Sequence, residues 1–119
     1  MQRPRLNSEA VLAFFQAKAA LLEKDQKQTV VLLRKAVALD ETYLPARALL
    51  MQVYFELGQS EAAAGQARKV LALDPDDAMA NYILGSTLLK QDDFSGGSRH
   101  LYLAMRLWNK PDQVPVLDG

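Results

Sequence analysis

The stretch Arg34-Lys35-Ala36-Val37-Ala38-Leu39-Asp40 returns 34 residues later as Arg68-Lys69-Val70-Leu71-Ala72-Leu73-Asp74, identical at five of the seven positions. A weaker third copy falls on Tyr102-Leu103-Ala104-Met105-Arg106-Leu107-Trp108, where the small and apolar positions survive. A period of 34 is the length of a helix–turn–helix unit. Such a unit cannot bury its apolar face alone and must stack on copies of itself. The period therefore points to an all-α array of three helix–turn–helix repeats.

Outward from that stretch, apolar residues at i, i+3, i+4 and i+7 mark six amphipathic helices. The first spans about Ser8 to Glu23, with Asn7 or Ser8 as its N-cap. The second spans about Lys27 to Leu39 and is broken by Asp40-Glu41-Thr42. The third, about Tyr43 to Leu57, stops at Gly58, a helix C′ signal. Ser60 is expected to cap the fourth, about Glu61 to Leu73. Asp74-Pro75-Asp76-Asp77 opens the fifth, about Asp76 to Gln91, since Pro fits a first helical turn and acids there suit the dipole. The sixth runs from near Asp93 to near Asn109. Gly96-Gly97 lies near its start, and each interior Gly costs up to ~1 kcal/mol against Ala, so early fraying is expected. No strand pattern competes.

The 119 residues suffice for one domain with a core, and half of them are hydrophobic. Lys plus Arg balances Asp plus Glu at 14 each. The segments before and after the Gln59–Ser60 bond carry +2 and −2. A neutral chain argues against nucleic acid, whose binding needs clustered cations, and against a polybasic membrane patch. There is no Cys, which excludes disulfides and thiolate chemistry. No apolar run approaches a membrane span, and Asn7, Ser8 and Glu9 interrupt the stretch after the basic start, where a signal peptide would be apolar. The chain is expected to be soluble and, by preference, cytoplasmic, with no direct membrane insertion.

The pattern resembles the tetratricopeptide repeat family. The third repeat, 78–111, shows Leu84-Gly85, Leu88 and Ala104 in the family's slots. The second, 44–77, shows Leu50, Tyr54, Ala63, Val70 and Pro75. The first, 10–43, shows Ala17, Ala36 and Leu39-Asp40 but Glu41 where Pro is usual. Residues 1–9 read as a lead-in and 112–119 as an extended tail. Ala17, Ala63 and Gly85 sit where the two helices of a unit approach closely, leaving no room for a larger side chain.

The resemblance implies a right-handed superhelix whose first helices line a concave groove. It places Val11, Phe14 and Lys18, then Ala48, Gln52 and Phe55, then Met79, Tyr82 and Ser86 on that groove. The expected protein-binding residues are Phe14, Lys18, Gln52, Phe55, Met79, Tyr82 and Ser86, set against a plainer reading in which Phe14, Phe55 and Tyr82 only pack between helices. One family subtype grips a C-terminal carboxylate with a clamp of basic residues and Asn. Phe14, Lys18, Leu49, Met79 and Ile83 occupy those positions, so only Lys18 fits and the clamp is missing.

No catalytic, cofactor or metal site is read from the sequence. His100, the only His, is expected to face away from the groove without a nucleophile. Asp74, Asp76 and Asp77, like Asp92 and Asp93, sit at helix starts where capping explains them. The expected function is a protein–protein interaction module binding a peptide or helix, with a segment of a longer solenoid or an enzyme's regulatory domain as alternatives. Leu103, Leu107 and Trp108 end the array without a covering helix. Either the tail around Val114-Pro115-Val116-Leu117 folds back over them or the end pairs with a second copy as a homodimer.

Overall fold

The left-handed backbone positions carry the same period as the sequence. Lys24 (φ 61°), Gly58 (φ 77°) and Asp92 (φ 62°) are spaced by 34 residues. Each follows the first helix of a pair and reverses the chain, so that the second helix packs back along it. Only glycine adopts this conformation without a steric penalty. Residues 7–109 are described in the computed structural model. Among them six helices form three pairs: α1 (Ser8–Leu22) with α2 (Gln26–Leu39), α3 (Leu44–Glu56) with α4 (Ser60–Leu73), and α5 (Ala78–Lys90) with α6 (Phe94–Trp108).

Carboxylates and an amide start most of these helices. The Asn7 side chain accepts from the Glu9 and Ala10 amides, Asp25 from Gln28, Asp77 from Ala80 and Asp93 from Gly96. Asn7 also donates to the Leu39 carbonyl, fastening the start of α1 to the end of α2. Two expectations about helix starts need correction. Ser60 is the first residue of α4 rather than its cap, and Gln59 precedes it without a side-chain cap. Ser60 instead joins neighbouring repeats: its carbonyl accepts from Thr87 Oγ1 and its hydroxyl from Lys90 Nζ. The fifth helix begins at Ala78, not Asp76, because Asp77 takes the N-cap and the Asp74 carboxylate holds the Asp76 amide in the turn before it.

The core runs continuously through α3. Ala13, Phe14, Ala17, Leu33, Ala36, Ala46, Leu50 and Val53 form one buried cluster. Met51, Ala63, Ala64, Ala67, Val70, Ala80, Ile83 and Leu84 form the next. Tyr54 packs against both. Each repeat therefore completes its apolar face on its neighbour, as a stacked array requires.

The small residues set helix separation. A Cβ on Gly85 would lie 2.9 Å from the Gly97 carbonyl and from Leu101, and one on Gly97 would lie 2.8 Å from Leu89. Gly97 is therefore more than a weak point in α6. It lets α6 approach α5 through backbone-to-backbone contact, and α6 continues unbroken to Trp108.

Candidate binding site

On α3, Gln52, Phe55 and Glu56 share one face at i, i+3 and i+4. On α5, Met79, Tyr82 and Ile83 do the same. These six residues and Trp108 line a hollow of about 340 Å³. Its wall is an aromatic series contributed by three helices. Phe55 meets Tyr82 edge-on with centroids 5.9 Å apart, and Tyr82 meets Trp108 at 5.7 Å with a tilt of 46°. Tyr82 is 36% exposed and Trp108 45%, so the rings keep faces toward solvent. Among the described residues Glu56 is the one charged group in the lining, and Gln52 supplies an amide.

Of the seven residues expected to bind protein, Gln52, Phe55, Met79 and Tyr82 are brought together here. The other three are not. Phe14 is 9% exposed and belongs to the core, with its ring edge-on to Tyr43 at 5.5 Å. The plainer reading describes Phe14, and the reason is geometric: it points back into the α1–α2–α3 junction. Lys18 is exposed and lies over the Phe14 ring at 5.5 Å, away from the hollow. Ser86 is half-buried and outside the lining.

Glu56, Ile83 and Trp108 are additions that the sequence reading lacks. Glu56 and Ile83 do carry a signal, being one helical turn from Gln52 and Met79. Trp108 carries none in the repeat pattern. Its counterparts Asp40 and Asp74 are extended C-caps, whereas α6 is still helical at Trp108 and carries the indole back toward Tyr82. Trp108 stays 45% exposed at the end of the array, as the sequence suggests, and in addition lines the hollow.

A different polar arrangement recurs between repeats. Arg47 Nε and Nη2 donate to the Glu41 carbonyl, and Nη1 donates to Gln66 Oε1 at 2.7 Å. One period later Asn81 Nδ2 donates to the Pro75 carbonyl, and Asn81 Oδ1 lies 2.9 Å from His100 Nδ1. Asn81 Nδ2 also donates to the Asp77 carbonyl. With its amide nitrogen so committed, Asn81 Oδ1 accepts from a protonated Nδ1. Burial lowers the His100 pKa from 6.5, as do Arg99 and Arg68, while Asp93 opposes them. His100 is thus a bonded structural group on the side of the second helices.

Residues 20–82 match the profile of the tetratricopeptide repeat, more than half of the chain. The chain belongs to the tetratricopeptide repeat family. Its fold is similar to that of MamA, with a TM-score of 0.76 and 18% identity over 90% of this chain and 63% of that one. It is also similar to a chain of the CopN–Scc3 complex, with a TM-score of 0.75 and 17% identity over 91% of this chain and 65% of that one. A third is the second such domain of Spaghetti (RPAP3) bound to the HSP90 peptide SRMEEVD, with a TM-score of 0.73 and 13% identity over 84% of this chain and 93% of that one. The chain therefore spans less than two thirds of the first and second of these. A search of the curated proteins finds no sequence match.

Proposed function

We propose that the chain is a protein–protein interaction module that takes a peptide or helix of a partner protein in the hollow between α3 and α5. The observation that carries the reading is the aromatic series Phe55–Tyr82–Trp108, which offers apolar anchors beside the Gln52 amide. Partly exposed aromatic groups in a concave site are the usual energetic centres of protein recognition. The fold is shared with a domain bound to an acidic chaperone peptide. The clamp positions do not follow that chemistry here, and Glu56, the only charged lining group among the described residues, is an acid. A peptide ending in acidic residues is therefore a poor candidate, and an apolar segment free of acids is the better one. The reading includes no catalysis, no cofactor and no nucleic acid.

The test is capture with the whole chain, followed by the same capture with Tyr82→Ala and Phe55→Ala. Each variant should weaken a true partner by more than ~1 kcal/mol while leaving helical circular dichroism intact. A partner held equally well by both variants refutes the hollow as the site.

A second reading has its own observation. Both ends of the described array expose apolar side chains: Leu12, Phe15 and Leu22 on α1, and Tyr102, Leu103 and Met105 on α6. Stacking of those ends, on further repeats or on a second copy, would cover them. The fold-back expected of the tail lies outside the described residues.

A further inference from the structure

Moving one period along the array sets Arg47 over Asn81, Gln66 over His100 and the Glu41 carbonyl over that of Pro75. Asn81 holds the turn between repeats with a neutral amide. The fold therefore does not require the positive charge that Arg47 brings to the same task. That charge is also unusually placed. Arg47 is only 4% exposed, and among the described residues its three bonds go to a carbonyl and a carboxamide, neither of them charged. A guanidinium has five N–H groups, so two remain, one on each terminal nitrogen. Withdrawing such a cation from water is costly without an anionic partner.

The surroundings add to it. Arg47 lines two adjoining clefts of about 370 and 330 Å³ between the second helices of neighbouring repeats. Lys69 lines both, and Arg34 lines the larger. Both are exposed. Glu41, also in both linings, is the only carboxylate there among the described residues, which set three cations against one anion. The shift by one period replaces Arg47 with Asn81 and Lys69 with Leu103, keeping only Arg68 in the place of Arg34. The charge is concentrated in one cleft of the array and not repeated in the next.

We propose that this cleft binds an oxyanion of phosphate size, with Arg47 at its floor and Arg34 and Lys69 at its sides. Two parallel N–H groups on a guanidinium suit bidentate contact with such a group, and the flanking cations supply charge. The anion is either free phosphate or a phosphoryl group on a partner's side chain. The site faces away from the aromatic hollow and stands independently of it.

The experiment follows the Arg47 Nε–H resonance of the whole labelled chain, assigned by its loss in Arg47→Asn. Inorganic phosphate, a short phosphoserine peptide and its unphosphorylated form are titrated separately against chloride at matched ionic strength. A saturable shift with phosphate or the phosphopeptide is expected, and none with the unphosphorylated peptide. The tighter of the two ligands identifies the source. Arg34→Ala combined with Lys69→Ala removes only exposed side chains and should weaken binding by about tenfold or more. Tyr82→Ala should leave it unchanged. A response that does not saturate, or one equally strong in the double variant, overturns the proposal, since phosphate also stabilises proteins unspecifically.

Discussion

At the residue scale, three positions decide how closely the helices pack and how the repeats are joined. Gly85 lies against Gly97 with no room for a further atom, and its nearest obstacle is backbone that cannot rotate away. Gly85→Ala should therefore destabilise by about 1–3 kcal/mol, as overpacking does, read as a lower urea midpoint. An unchanged midpoint would remove the close approach as its cause. His100 makes stability depend on pH. Its folded pKa lies below 6.5, because burial and the neighbouring Arg99 and Arg68 disfavour the charged ring. Its contribution is complete above the unfolded value and is lost as pH falls through the folded one. The wild-type midpoint should drop as pH falls below about 6.5, the unfolded value, and His100→Gln should flatten that dependence. An equal slope in the variant would assign the effect to carboxylates elsewhere.

At the scale of elements, the period is legible in the chain and the side-chain facing less so. The repeated Arg-Lys…Ala-Leu-Asp stretch sets the period and the apolar spacing locates all six helices, with ends displaced by one or two residues. Asp77 and Asp93 are recognisable as helix-start groups. Ser60 is not, because a serine in the first turn has the same local signature as one at the cap. Phe14 falls on the groove by the family resemblance, which assigns it a face of the first helix without saying which neighbour covers that face in this chain. Trp108 escapes a reading by repeats because it departs from the repeat. The turns offer a test at this scale. Lys24 and Asp92 hold the left-handed conformation that Gly58 holds without strain. Lys24→Gly and Asp92→Gly should each stabilise by about 1 kcal/mol, seen as a raised melting temperature. No gain at either would mean that the lysine or aspartate side chain offsets the strain.

At the scale of the whole molecule, the shared core through α3 couples the two ends. Trp108 is the only tryptophan and reports from the last helix, whereas circular dichroism averages over all six. The two transitions should coincide in urea if the described array unfolds as one unit. An earlier fluorescence transition would show α6 detaching first. The exposed stripes at the ends make a second prediction. If they stack, light scattering should show mass rising with concentration, and Met105→Glu with Phe15→Glu should return the chain to monomer. A monomer at every concentration would exclude pairing of the ends with a second copy.

The bonds Arg47–Gln66 and Asn81–His100 also bear on how such a chain can grow. Each pair lies within a single 34-residue unit, first helix to second. Gene duplication that copies a unit whole carries both partners together, and the new junction finds its carbonyl in the turn before it. A crossover between positions 47 and 66 instead joins Arg to His or Asn to Gln. The first combination sets a cation against a ring that the fold keeps neutral, and the second changes the reach on both sides. Recombination should thus be tolerated in the turns between units and penalised inside them. The pairing acts as a punctuation mark that keeps inherited blocks intact.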